Sequence, residues 1–140
     1  MANKLYNDAK VQMAKGLLDL SDATKMKVML VSTSYVGTSD IDSDTMTQVN
    51  AGEISGTGYV AGGKLLTNAA VTVDDANDLA KLDGDDLTWG SSTITAGGAV
   101  IWYDDTSDYP IALIDFGGDK VSSAGDFKIT WDANGILTLN

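Results

Sequence analysis

From Glu53 onward the chain consists of short runs of Val, Ile, Leu, Thr and aromatic residues, broken by clusters of Gly, Asp, Asn and Ser at about the eight-to-twelve-residue spacing of short antiparallel strands. Branched and aromatic side chains fit a pleated, half-buried surface, and the intervening small polar residues supply turns. Strands are expected at 53–60, 64–73, 77–82, 86–89, 93–103, 111–116, 126–131 and 135–139. Gly62-Gly63, Asp83-Gly84, Gly117-Gly118 and Asn134-Gly135 can each take positive φ at a tight connection. Asn134-Gly135, set between Phe127–Trp131 and Ile136–Leu139, is the clearest hairpin signal. Pro110, the single proline, suits the start of a strand at Ile111.

Ahead of this region the periodicity changes. Leu5, Ala9, Met13, Gly16 and Leu17 recur at three- and four-residue spacing, which predicts one amphipathic helix over 3–18 with Asn3 as its N-cap. Lys25–Val31 reads as a strand entering a core, 32–44 as a polar, acidic loop, and 45–49 as a short helical turn. With 140 residues, no repeat and no linker, one domain is expected, a helix at 3–18 and a β-rich body over 25–140. The fold class is mainly β, an antiparallel sandwich or jelly-roll-like domain with one N-terminal amphipathic helix.

Nineteen Asp and one Glu oppose nine Lys, with no Arg or His, for a formal net charge of −11. Scattered lysines among so many acids make a poor phosphate-binding surface, so nucleic acid is not an expected partner. The charge favours solubility and suits a basic surface on a partner protein. No apolar run approaches a membrane span, and the first residues lack the apolar core and cleavage site of a signal peptide.

The absence of Cys and His removes thiolate nucleophiles, disulfides, common zinc sites and the usual imidazole base. Asp40, Asp42 and Asp44 have the opening spacing of a calcium loop, but Thr45 stands where Gly is needed and Ala51 where a bidentate Glu is needed. A solvated acidic loop is the simpler reading. Gly56–Gly63 is glycine-rich, but Gly63-Lys64 is followed by Leu65, not by the hydroxyl of a phosphate loop, so a strand connection is expected. The Asp pairs at 74–75, 85–86 and 104–105 close apolar runs, as turn formers and edge-protecting charges do. Paired carboxylates also serve glycoside hydrolysis, for which Trp102-Tyr103-Asp104-Asp105 is the first place to look. Trp89, Trp102 and Trp131 otherwise read as packing residues. No Gly-x-Ser-x-Gly elbow is present and no motif supports a Ser–Lys dyad. No catalytic residue, metal ligand or cofactor site is therefore assigned.

The order of segments carries a further signal: Lys4–Asn7, Lys27–Val31, Glu53–Gly63, Leu87–Trp89, Ser91–Ala96, Ala99–Tyr103, Ile114–Gly117 and Asp126–Trp131. Over nearly the whole chain this resembles a family of small tailed-bacteriophage virion proteins, of the capsid decoration or cement type. The resemblance implies a non-enzymatic protein that binds the outer surface of the phage head, with the major capsid protein as partner. It also implies copies of the chain meeting on the lattice, a trimer being one such arrangement. Leu5, Tyr6 and Met13 are the first candidates for the contact surface, against the alternative that their stripe covers one end of the sandwich, and 56–63 is the second. The rival functions are a tail, head-tail connector or receptor-binding component, and a carbohydrate-binding or hydrolytic module.

Overall fold

The structure, a computed structural model, describes residues 3–139. In chain order the strands are β1 (Asn3–Leu5), β2 (Met26–Val31), β3 (Lys64–Leu65), β4 (Ala70–Asp74), β5 (Leu79–Asp83), β6 (Leu87–Tyr103), β7 (Tyr109–Ile129) and β8 (Leu137–Leu139). Three short helices, α1 (Asn7–Ala14), α2 (Thr33–Thr38) and α3 (Met46–Gly52), lie in the first half. All pairings are antiparallel, in a five-stranded sheet β1-β7-β6-β2-β3 and a three-stranded sheet β4-β5-β8. The expected mainly β, sandwich-like architecture is the one adopted.

The β6–β7 hairpin organises the larger sheet. Near its turn, Gly98–Tyr103 pairs with both β2 and β7, and Ala112–Ile114 pairs with both β6 and β1. These stretches are buried on both faces, which explains their unbroken apolar sequence. Helices α1 and α3 pack on β7, and α2 on β6 and β7. Leu66, Leu82, Trp131 and Leu137 join Val28, Leu30, Ile101 and Ile114 in one continuous core.

Farther from the turn the hairpin leaves its neighbours and bends. Between the pairs Gly98↔Asp115 and Ala96↔Lys120, one residue of β6 faces four of β7, and Gly117 and Gly118 take φ of 78° and 138°. Further register shifts follow around Ser92. In consequence the rings of Phe116 and Phe127 lie 6.2 Å apart between centroids, whereas a straight strand would separate residues this far apart in sequence by about 36 Å. The buried hydroxyls of Ser92 and Ser122, 2.7 Å apart, satisfy the disturbed ladder: Ser92 donates to the carbonyl of Trp89 or Gly125, and Ser122 accepts from the Ile94 N–H.

Several boundaries depart from expectation. The helix expected over 3–18 spans only 7–14, because Asn3–Leu5 is captured as a strand by Ala112–Ile114. Asn3 does not cap it: its amide donates to the Ile136 carbonyl, and Tyr6 holds the N-cap position without a side-chain bond. Gly16, at φ 74°, turns the chain out of the helix. The loop expected at 32–44 contains α2, capped by the Ser32 hydroxyl accepting from the Tyr35 N–H, and the turn expected at 45–49 extends into α3 through a Thr45–Gln48 capping box. Residues 53–60 form no continuous strand, touching the sheet at the isolated bridges Val31↔Glu53 and Thr57↔Thr93. The strand expected over 64–73 divides into β3 and β4, while 86–89 merges with 93–103 and 111–116 with 126–131. Asn134-Gly135 does turn, with the Gly135 N–H on the Asp132 carbonyl, but β8 then pairs with β5 and not with the end of β7.

Two glycines show what the close packing demands. Gly63 has φ 78°, and a methyl group there would overlap the Val28 carbonyl oxygen. Gly117 has the same φ but open space around it. Gly117→Ala should therefore cost about 1–2 kcal/mol, the penalty of the left-handed backbone alone, and Gly63→Ala at least about 3 kcal/mol because a close contact is added. Denaturant unfolding of the two variants checks this, and equal losses would contradict the packing of the 56–63 segment on β2.

Candidate functional surface

The acidic loop, the glycine-rich segment and the Trp102–Asp105 run each have structural partners. Asp40, Asp42 and Asp44 do not converge: Asp40 accepts from the Asp42 N–H and the Ser43 hydroxyl, Asp42 from the Asn7 amide at 2.6 Å, and Asp44 from the Tyr35 hydroxyl at 3.0 Å and the Asp40 N–H. The acidic spacing serves a folded loop that holds the start of α1, with the Asn7 N–H on the Ile41 carbonyl as a second tie. Among the described residues no group of three acids is placed to hold a metal ion.

The glycine-rich segment is a close-packed crossing over the sheet. A methyl at Gly56 would overlap the Thr93 carbonyl oxygen, and Gly58 takes φ 81° against Ser92. Glu53, the one glutamate, holds the segment by accepting from the Tyr59 hydroxyl at 2.7 Å and the Gly62 N–H at 2.6 Å, while the Tyr59 oxygen accepts from the Leu30 N–H. The amides of Tyr59, Gly62 and Gly63 are taken by the Gly56 carbonyl, Glu53 and the Val60 carbonyl.

Trp102-Tyr103-Asp104-Asp105 is likewise tied down. Lys27 pairs with Asp104 at 2.6 Å and Lys25 with Asp105 at 2.9 Å, each lysine also lying near the face of Trp102 or Tyr103. The Trp102 N–H donates to the Gly62 carbonyl and its ring is buried. The hydrogen bond from Lys25 holds the Asp105 carboxyl below the usual range, as a structural ion pair does. Trp89 packs at 6.2 Å from Phe127 and 6.1 Å from Tyr59 between centroids, and the Trp131 N–H donates to the Asp85 carbonyl. No Ser–Lys hydrogen bond is present among the described residues.

Leu5 at the end of β1, Tyr6 at the N-cap of α1 and Met13 within it all turn towards the core, whereas Leu17 of the same expected stripe is 58% exposed. Tyr6 is wholly buried with its hydroxyl 2.8 Å from that of Tyr35, and Leu5 and Met13 are half-buried against the same cluster. The Tyr6 side chain is thus enclosed by the core and not presented to solvent.

The unpartnered surface lies elsewhere. Beyond its pairing with β1, β7 hydrogen-bonds only to β6 among the described strands, so its outer edge is open through the bend. The crook of the bend forms a groove of about 450 Å³, walled by Phe116, Val121 and Phe127 and flanked by Lys120, Asp126 and Lys128. Val121 is 69% exposed. Neither Lys120 nor Lys128 has a carboxylate partner among the described residues, unlike Lys25, Lys27 and Lys81. In the smaller sheet, β4 is an outer strand paired only with β5. Both edges escape sequence reasoning because the strand bounds were misplaced; the available signal was the pair of lysines in an acidic chain. Comparison with protein-family models, curated proteins and solved structures found no match to this chain.

The buried tyrosines tie the stability of the fold to pH. Burial raises the Tyr6 phenol to about 12, and burial first, then bonds to Tyr6 and Asp44, raises Tyr35 as well. Tyr59 is raised by burial and by its bond to Glu53. An unfolded phenol ionises near 10, so the stabilising difference is intact below that pH and is lost as the pH rises through the folded values. Tyr6 alone should remove on the order of 2 kcal/mol between pH 10 and 12. Thermal melts across this range should show a steep fall for the parent chain and a shallower one for Tyr6→Phe; parallel curves would contradict the burial. The divergent Asp40, Asp42 and Asp44 predict a melting temperature unchanged by millimolar calcium, and a rise would restore the cation-loop reading.

Proposed function

We propose that the chain is a non-enzymatic decoration protein of a tailed-phage virion, binding the outer surface of the head lattice with the major capsid protein as its partner. The segment order that resembles small virion proteins supports the location. The observation that carries the adhesive part is the division of labour within the chain: Asp42, Glu53, Asp104 and Asp105 hold the fold, while the outer edges of β4 and β7 and an apolar groove stand without strand partners among the described residues.

Adhesion by such a domain needs no reaction centre. A contact of modest strength repeated over a lattice gains through high effective concentration, and each bound copy opposes separation of the subunits it bridges. The excess of Asp keeps the outward face hydrated and complements basic patches on a shell. Copies brought side by side on the lattice would also meet one another.

Gold-labelled antibody against the chain, applied to intact phage particles from cultures that express it, tests the proposal. Label over the whole head is expected. Label confined to one vertex or to the tail would replace decoration by a connector or adhesin role, and particles without label would overturn the virion reading.

A further inference from the structure

We infer that Asn134 is a site of spontaneous deamidation, that the turn carrying it holds the reaction back in the folded chain, and that the isoaspartyl product loosens β8 from β5. The chemistry belongs to the free chain and holds whatever surface that chain binds.

Sequence and exposure select the residue. An asparagine side chain is cyclised by the backbone nitrogen of the residue after it, and glycine, with no Cβ, obstructs that approach least. Asn134 is the one asparagine followed by glycine, and it is exposed. The side-chain amides of Asn3, Asn7, Asn68 and Asn77 donate to the Ile136 carbonyl, Asp42, Asp85 and Asp74, and the ladder of α3 fixes the amide after Asn50. At Asn134 only the backbone N–H is so engaged among the described residues, on the Asp132 carboxylate at 2.8 Å.

In the first step the Gly135 nitrogen gives up its proton and bonds to the side-chain carbonyl carbon of Asn134. The bond from that carbon to Nδ2 breaks, and ammonia leaves with the proton. Water then adds to either carbonyl of the five-membered imide, whose C–N bond breaks to leave a carboxylate and an amide N–H. Opening at the backbone carbonyl routes the main chain through the side-chain methylene, one carbon longer than before.

The folded turn opposes the first step at the nitrogen itself. The Gly135 N–H donates to the Asp132 carbonyl at 2.9 Å, closing a four-residue turn, and Gly135 is held at φ 102°. The nitrogen must leave that carbonyl and the chain must rotate before it faces the side chain, so reaction proceeds from a locally opened minority. The two bonds to Asp132, each of ordinary net strength, reduce that minority by at least about tenfold.

Just beyond the turn there is little room for a longer backbone. A Cβ on Gly135 would lie 3.2 Å from the Leu82 carbonyl oxygen, and the Ile136 N–H donates to the same oxygen at 2.8 Å. The ladder that follows has the pairs Leu82↔Leu137, Lys81↔Thr138 and Ala80↔Leu139, with Ile136 and Leu137 buried. An added carbon displaces Ile136 from Leu82 and, over so short a ladder, the register after it.

Full-length chain incubated at neutral pH and body temperature in water enriched in oxygen-18, with and without urea, tests the first two points, because each conversion takes up one heavy oxygen that peptide mass spectrometry locates. Asn134 should convert ahead of the other asparagines in both samples, and at least about tenfold more slowly without urea. Asp132→Ala, at an exposed position and with folding checked by far-UV circular dichroism, should narrow that gap. Equal rates with and without urea, an unchanged gap in Asp132→Ala, or another asparagine converting first would overturn the guarded site. The isoaspartyl chain, separated chromatographically, should exchange amide hydrogens over 79–83 and 136–139 at least about tenfold faster than the parent, while Asn134→Asp, which carries the charge without the extra carbon, should match the parent. Parent-like exchange in the isoaspartyl chain, or equal acceleration in Asn134→Asp, would overturn loosening by the lengthened backbone.

Discussion

The pairing of β6 with β7 is the interaction on which the rest of the molecule depends. These 17- and 21-residue strands give β1 and β2 their places, receive α1, α2 and α3, and define the groove where their sheet ends. Near the hairpin turn the ladder is regular and buried on both faces, so the chain there must be apolar without interruption. Past Gly98 the extra residues of β7 force a bend, and the same hairpin becomes an open ribbon. A single covalent unit thus supplies both the core and the exposed edge.

The polar groups follow the same economy. A chain with no His, Cys or Arg has few ways to satisfy irregular backbone, and this one uses carboxylates, phenols and hydroxyls. Glu53 and Tyr59 pin the 53–63 crossing, Asp44 with Tyr35 and Tyr6 pins the first loop to the core, and Ser92 with Ser122 fills the bulge. The β4 edge, the outer edge of β7 and the groove beside it stand without strand partners among the described residues.

Much of this was legible in the sequence, for identifiable reasons. Met26–Val31, Ala99–Tyr103 and Ile111–Phe116 declare themselves because buried strands need unbroken branched and aromatic residues. Gly90, Ser91, Gly117 and Gly118 appear to a sequence reading as strand ends, yet each sits inside a strand that bends; turn chemistry and bulge chemistry use the same residues. Asn134-Gly135 turned as its composition required, but a local signal does not say which sheet receives the next strand. At the N-terminus the three-and-four spacing was real over 5–13, while the β7 ladder took Asn3–Leu5 out of the helix, a tertiary contact overriding a weak local preference. Aspartates spaced like a calcium loop also make successive Asx turns, and side-chain direction, absent from spacing, separates the two.

The central proposal is that this chain works through the open edges of β4 and β7. Amide hydrogen exchange, read by mass spectrometry on the free chain and on the phage heads that the proposed function has it coat, tests that proposal most directly. The account predicts faster exchange over residues 70–74 and 116–129, from the amides on their open sides, than over 98–103 and 111–114 in the free chain, and slowing at 70–74 and 116–129 on the assembled heads, with 98–103 and 111–114 slow in both states. Unchanged exchange along both edges on assembly, with new protection at 40–44 or 56–63 in their place, would contradict it.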